Sequence, residues 1–312
     1  MNPKPRSSRP PLFAEWEITR RCNTCCLHCH SESGPEVSWA GELSTLEAMG
    51  FLAQLCEERV PMLTLTGGEP LMREDWAALA RKACALGIGV NLSTNGALVT
   101  EEVADEIAAL RLASVTVSLD SHLPEVHDRI RQWPGLFDLA VGAIQRLAAR
   151  GVRVVIGFAP SRLNRGSAGP LLELAEDLGA AAVSVIELVA SGRAPEYLAL
   201  SGPELRAALD EWSRLRGTWQ GRTRVVLQDF RAGMPVPALR ICEEQGCGAG
   251  RLFFRVRPDG SITSCSFLTS PSFSLRQEPL SGILTRLAAE RPGPPSGLCL
   301  DCEQRARPGS KD

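Results

Sequence analysis

The 312-residue sequence has no charge surplus, with 34 basic against 36 acidic side chains and a formal net charge of −2. That balance excludes a protein built to neutralise phosphate backbones, which needs a positive excess. Long apolar runs are missing as well. The most apolar stretch, residues 180–190, is broken by Ser184 and Glu187 and falls short of the ~18 residues a membrane span requires. The N-terminal MNPKPRSSRPP is basic but runs into prolines with no apolar segment, so it reads as a disordered tail (1–11) and not as a secretory signal. The expected location is therefore the cytoplasm, with neither nucleic acid nor membrane as partner. Lysine is nearly absent, 3 residues against 31 arginines, which suggests a GC-rich genome and, by that hint alone, antibiotic biosynthesis.

Cysteine is plentiful, with 11 residues. Without an export signal these thiols face a reducing compartment, where metal ligation is a better reading than disulfides. Cys22, Cys25, Cys26 and Cys29 lie within eight residues, and Cys242, Cys247, Cys265, Cys299 and Cys302 gather near the C-terminus. Cys56 and Cys84 stand alone inside apparent helices and read as small core residues.

From residue 12 to about 190, short β-branched runs alternate with longer amphipathic ones, the pattern of βα units in a parallel sheet. Strands are predicted at 12–19, 62–66, 88–93, 114–119, 153–159 and 182–189. Helices are predicted from Ser44 or Thr45 to Glu58, from Asp75 to Ala85, from Thr100 to Leu110, and over 136–150 and 170–178, several stopped by glycine. Six such units imply an open, partial barrel, an α/β fold. A helix over 201–216 follows, then a hairpin of 251–257 and 261–267 around Pro258-Asp259-Gly260. The last forty residues, rich in proline, serine and glycine with one short helix near 282–290, are expected to need a metal staple.

Cys22, Cys26 and Cys29 have CxxxCxxC spacing. Three thiolates so placed hold three corners of a [4Fe–4S] cube and leave the fourth iron open. A zinc site recruiting Cys25, His28 or His30 is the alternative at this point. Three further motifs follow in order: Thr66-Gly67-Gly68-Glu69-Pro70, Ser93-Thr94-Asn95-Gly96 and Ser118-Leu119-Asp120. Each falls at the C-terminal end of a predicted strand, where α/β sheets collect ligands.

With these motifs the sequence resembles the radical S-adenosylmethionine (radical SAM) superfamily over residues 12 to about 194. The resemblance implies that Cys22, Cys26 and Cys29 ligate a [4Fe–4S] cluster whose open iron is chelated by S-adenosylmethionine. Gly67, Gly68 and Glu69 would meet the methionine amino group, Ser93 and Asn95 the ribose with Asp120 completing those contacts, and Arg131 the cofactor carboxylate. His28 departs from the carbocyclic aromatic residue common before the third cysteine.

The C-terminal cysteines refine the resemblance. Cys247, Gly260 and Cys265 form a CxₙGx₄C pattern over the hairpin, and Cys299-Leu-Asp-Cys302 closes the chain. This is similar to the SPASM or Twitch extension. No cysteine follows Cys302, so Cys247, Cys265, Cys299 and Cys302 are left for one auxiliary [4Fe–4S] cluster, the Twitch arrangement, with a zinc ribbon as the alternative. The organisation expected is a tail (1–11), a radical SAM (β/α)6 core (12–200), a linking helix and strand (201–240), a Twitch-like domain (241–304) and a tail (305–312).

In this family reductive cleavage of S-adenosylmethionine gives a 5′-deoxyadenosyl radical that abstracts hydrogen from a substrate C–H. Glu187, Arg193 and Asp229 are candidates to bind the substrate, and Ser191-Gly192-Arg193-Ala194 matches a Gly-Arg turn frequent in the subfamily. The reading favoured is oxidation of a sugar or aminocyclitol carbinol, with the auxiliary cluster as acceptor and a flavodoxin- or ferredoxin-type electron donor. The alternatives are an epimerase with Cys242 as hydrogen donor, a maturase of ribosomally made peptides, and a non-enzymatic zinc scaffold. Because Cys22 comes early, with no leader-binding domain before it, small molecules are expected ahead of peptides.

Overall fold

The computed structural model describes residues 11–228, 249–250, 252–265, 268 and 273–289. The predicted alternation folds as expected, with one helix, α4, that the pattern does not predict: β1 (Phe13–Glu17), α1 (Thr45–Glu57), β2 (Met62–Thr66), α2 (Trp76–Ala85), β3 (Gly89–Thr94), α3 (Glu101–Leu110), β4 (Ser114–Ser118), α4 (Pro124–Arg131), α5 (Leu136–Ala149), β5 (Val154–Phe158), α6 (Ala168–Asp177) and β6 (Ala182–Ile186). Ser44 caps α1 and Glu47 reaches back to its N–H at 2.8 Å, a reciprocal capping box. Thr100 caps α3, and Arg111, in the left-handed region at φ 53°, ends it.

Residues two apart on a strand share a face. On β2, β3 and β4, Leu63, Leu65, Val90, Leu92, Val115 and Val117 point to the helices and are buried. They pack with Phe51, Leu52, Leu55, Leu79, Ile107 and Leu147 from the helices in one core. Trp16 of β1 meets Phe51 edge to face, ring centroids 5.1 Å apart. Removing a leucine-sized side chain from water is worth about 1.5–3 kcal/mol, so this layer supplies the stability. The intervening residues, Thr64, Thr66, Asn91, Ser93, Ser114, Thr116 and Ser118, lie on the inner face and are half-buried.

Two parallel strands join those predicted for the barrel. After α7 (Gly202–Thr218), β7 (Arg224–Gln228) pairs with β6 from Ala182↔Arg224 to Ile186↔Gln228. At the opposite edge β8 (Phe253–Val256) lies parallel to β1, from Phe13↔Phe253 to Trp16↔Val256. The predicted hairpin is completed by β9 (Ser261–Thr263), and β10 (Phe273–Ser274) continues it; the sheet order is β10-β9-β8-β1-β2-β3-β4-β5-β6-β7, an open partial barrel.

A buried ion pair between Glu17 of β1 and Arg255 of β8 ties the hairpin to the barrel. Phe254, Val256, Ile262, Phe273 and, from α8 (Leu280–Ala289), Leu280, Ile283 and Leu287 all enter the same core as the barrel. The segment expected to rely on a metal staple thus buries its own apolar surface in its described part, because α8 presents a 3–4 spaced stripe to α1. Among the described residues, no helix is long and apolar enough to cross a membrane.

Candidate cofactor site

The CxxxCxxC segment leaves the end of β1. It is closed at its base by a bridge between Arg21 and Gly34, with the Cys22 N–H on the Gly34 carbonyl at 3.3 Å. Cys22 and Cys26 are buried, Cys29 is half-buried and Cys25 is exposed. The Thr24 hydroxyl lies 3.2 Å from the Cys22 sulfur and 3.3 Å from that of Cys26, and Ser31 Oγ lies 3.4 Å from the Cys29 sulfur. Burial pushes the Cys22 thiol up to about 11, so a bound metal must displace its proton near neutral pH. Among the described residues no three His, Cys, Asp or Glu side chains converge as on a single ion. Ligands belonging to separate irons of a cube need no such convergence, whereas a closed zinc site does.

The Gly-Gly-Glu turn at the end of β2 docks against the exit of β1. Gly68 N–H donates to the Thr19 carbonyl and Glu69 N–H to the Arg21 carbonyl, both at 2.8 Å. A Cβ on Gly68 would stand 2.1 Å from the Arg21 carbonyl oxygen, a contact only glycine avoids. The close approach expected of Gly67 and Gly68 toward a cofactor is therefore made, in this structure, toward the backbone that launches the cysteine loop. Glu69 is fully buried. Its Oε1 accepts from Leu71 N–H at 3.2 Å and Thr94 Oγ1 at 2.8 Å, and its Oε2 from Asn95 N–H at 2.8 Å. A carboxylate offers about four lone-pair sites, so Oε2 retains acceptor capacity suited to an ammonium. Burial, against those three donors and Arg131, raises Glu69 from the ordinary 4.5 to about 7.

Asn95 spends its side-chain NH₂ on Asn23 Oδ1 at 2.7 Å, fastening the end of β3 to the cysteine loop. Asp120, after β4, is buried, with Oδ2 accepting from Arg131 Nε at 2.6 Å and lying 3.3 Å from His28 Nε2. Burial would raise this carboxyl, but the Arg131 guanidinium, with His28 and His127, holds it well below the usual carboxylate range. His127 Nδ1 accepts the Asp120 N–H at 3.1 Å, so His127 is the Nε2–H tautomer, and burial lowers it to about 4. Arg131 also reaches the Cys26 sulfur, Nη1 to Sγ 3.8 Å.

Buried polar atoms of this cluster, Asn23 Nδ2, His28 Nδ1, Asp120 Oδ1 and His127 Nε2 among them, have no hydrogen-bond partner among the described residues. Unmet buried groups gathered beside three thiols are what a polar cofactor would satisfy. The residues present fit a [4Fe–4S] cluster carrying S-adenosylmethionine.

The turn after β6 closes the loop from the other side. Arg193 N–H donates to the Cys29 carbonyl at 2.9 Å, Arg193 Nε to the Cys26 carbonyl at 3.1 Å and Nη2 to the Ser33 carbonyl at 2.6 Å. Gly192, at φ 57°, passes so near that a Cβ would be 2.3 Å from the His30 carbonyl. Arg193, expected at the substrate, is thus committed to holding the cysteine loop. Glu187 follows the last residue of β6 and is half-buried, as is Ser93 on the inner face of β3. Cys265 follows β9 and is half-buried, its carbonyl accepting from Thr263 Oγ1 at 2.9 Å. Asp229, Cys242, Cys247, Cys299 and Cys302 lie outside the described residues.

Sequence reasoning did not single out Thr24, Thr94, His127 or Asn164. Thr24 and Thr94 sit inside the motifs, at positions given no role, and His127 lies four residues before Arg131. Asn164, which donates to the Asp120 carbonyl at 2.8 Å, carries no local signal.

Comparison with known proteins agrees with this geometry. A profile of the radical SAM superfamily matches residues 16–160. An AdoMet-dependent heme synthase of Methanosarcina barkeri is 30% identical over 312 residues, covering 95% of this chain and 89% of that protein. A mycofactocin maturase of Mycobacterium tuberculosis is 34% identical over 268 residues, 84% of this chain and 66% of that protein. Among solved structures, Streptococcus suis SuiB bound to S-adenosylmethionine superposes with a TM-score of 0.74 at 15% identity, over 88% of this chain and 65% of that one.

Proposed function

The chain belongs to the radical SAM superfamily, among members of the SPASM/Twitch type, and on that premise we propose that it removes two electrons from a polar substrate bound against the inner face of the sheet. The family's cofactors are a [4Fe–4S] cluster and S-adenosylmethionine, which together supply a 5′-deoxyadenosyl radical. In this chain Cys22, Cys26 and Cys29 would hold the cluster, Glu69 Oε2 would take the methionine ammonium, Asp120 Oδ1 would accept from a hydroxyl and Asn23 Nδ2 would donate to a hydroxyl or carboxylate oxygen. The first electron would leave with the abstracted hydrogen atom and the second through an auxiliary cluster on Cys247, Cys265, Cys299 and Cys302, while a flavodoxin- or ferredoxin-type protein would supply the electron that cleaves S-adenosylmethionine.

The observation that carries the substrate reading is the chemistry of the inner face. Thr64, Thr66, Asn91, Ser93, Ser114, Thr116 and Ser118 present oxygens along three neighbouring strands. A hydroxyl-bearing sugar or aminocyclitol, oxidised at a carbinol carbon, matches that surface. A second reading, maturation of a peptide, is favoured by the maturase relative at 34% identity, and the heme synthase at 30% makes a heme precursor the third substrate class to offer.

The test incubates anaerobically reconstituted protein with dithionite, S-adenosylmethionine and each class in turn. The reading expects 5′-deoxyadenosine formed in step with a product two mass units lighter, with no solvent deuterium at the reacting carbon in D₂O. Deuterium there, lost in Cys242→Ala with cofactor cleavage kept, would show epimerisation instead.

A further inference from the structure

Each of the three cysteine sulfurs has one hydrogen-bond donor beside it, two on the cysteine loop and one at the end of α4. We propose that Thr24, Arg131 and Ser31 donate to Cys22, Cys26 and Cys29 respectively, and that these donors set the reduction potential of the cluster; the proposal rests on the reading that these three cysteines hold it.

Thr24 is buried at 2% exposure and touches two sulfurs, Cys22 at 3.2 Å and Cys26 at 3.3 Å. A hydroxyl has one proton and so serves one sulfur at a time. Arg131 Nη1 already stands 3.8 Å from the Cys26 sulfur, which assigns the Thr24 proton to Cys22. On the other side Ser31 Oγ is 3.4 Å from the Cys29 sulfur and 2.9 Å from Ser33 Oγ. Ser33 is buried, and its carbonyl is held by Arg193 Nη2 at 2.6 Å. With Ser33 donating to Ser31, the Ser31 proton is turned to Cys29.

With a free thiol, either atom of each hydroxyl–sulfur pair can be the donor. A metal-bound sulfur has lost its proton, so only the hydroxyl can give one and the direction becomes fixed. Hydrogen bonds to ligand sulfur stabilise the more negative, reduced cluster, and they are among the known controls of Fe–S potentials. Burial strengthens the effect, because Thr24 has no water to share its proton with.

The experiment is a potentiometric titration of the reconstituted full chain, following the paramagnetic signal that changes when S-adenosylmethionine is added and so reporting only the N-terminal cluster. In Thr24→Val, which keeps shape and removes the proton, the reduced-to-oxidised ratio at fixed potential should fall about tenfold, equivalent to about 59 mV for one electron, at unchanged iron content. Ser31→Ala, nearer the surface, should lower it several-fold, and Thr24→Ser should restore the parent value. Parent potentials in both Thr24→Val and Ser31→Ala at full iron would overturn the proposal. If Thr24→Val fails to retain iron, the Ser31→Ala potential alone decides. A parent protein with no signal responsive to S-adenosylmethionine would refute the underlying reading, an outcome distinct from an unmoved potential.

Discussion

On β2, β3 and β4 the two faces of the sheet answer to different demands. Leu63, Leu65, Val90, Leu92, Val115 and Val117 face the helices at no more than 1% exposure, while the residues between them carry oxygen and stay half-buried. The outer face is filled to close packing, where one missing methylene is felt. The inner face carries polar groups that take no part in that packing. The motif residues continue this division at the strand ends, where Glu69, Asn95 and Asp120 stand over the inner face with buried, charged or amide side chains.

The largest effect should come from the cysteine loop. Replacing Cys22, Cys26 and Cys29 by alanine should abolish formation of 5′-deoxyadenosine and lower iron from about eight to about four per chain, counting four irons for each cluster. Iron analysis and product chromatography check this, and retention of all iron would refute the ligand assignment.

Neighbours on one strand should then separate the faces. Leu65→Ala should cost about 2–5 kcal/mol in chemical denaturation, with affinity for S-adenosylmethionine kept in the folded fraction. Thr64→Ala should change stability by less than about 1 kcal/mol and alter turnover of substrate. Equal losses of stability would erase the distinction drawn between the faces.

Glu69 should give a pH signature. Its carboxyl titrates at about 7 in the folded chain, raised by burial from the ordinary 4.5. Between these values the native state holds a proton that the unfolded state has lost, so the stability Glu69 contributes is present below the unfolded value and falls as pH rises through the window, by about 3 kcal/mol. Melting the cofactor-free protein from pH 5 to 7.5 should show this slope, and Glu69→Gln should lack it. The same carboxyl must ionise to receive an ammonium, so affinity for S-adenosylmethionine should climb up to about tenfold per pH unit below 7 and level off above it. In Glu69→Ala the affinity should drop while both clusters remain.

The smallest effect belongs to the outermost layer. Ser44→Ala removes the α1 cap and should cost about 1 kcal/mol of stability, leaving cofactor affinity and potential unchanged.

The periodicities of 2 and 3.6 revealed the strands and helices, because each is written in neighbouring residues. The parallel placement of β8 on β1 was not legible: Phe253 and Phe13 are 240 positions apart, and their pairing depends on the whole intervening fold. The motifs revealed which strand ends matter, but not what each residue touches there. Gly68 packs on the Arg21 carbonyl, Asn95 fastens Asn23 and Arg193 grips the cysteine loop. Such contacts join distant segments and leave no periodic trace. The hydroxyl of Thr24 stood in plain view between two cysteines, yet its role emerged only from the two short distances to sulfur.

The grip of Arg193 also has a bearing on the order of events during synthesis. It contacts the carbonyls of Cys26 and Ser33 across 167 and 160 positions of chain. The cysteines leave the ribosome before the side chain that fixes their loop, which follows only after about 160 residues, roughly 8–32 s at ~5–20 residues per second. During that interval the nascent thiols have their sequence spacing but not their final shape, and they stand open to oxidants. Iron delivered after β6 has emerged meets a formed loop. Earlier delivery meets a chain that has yet to build it.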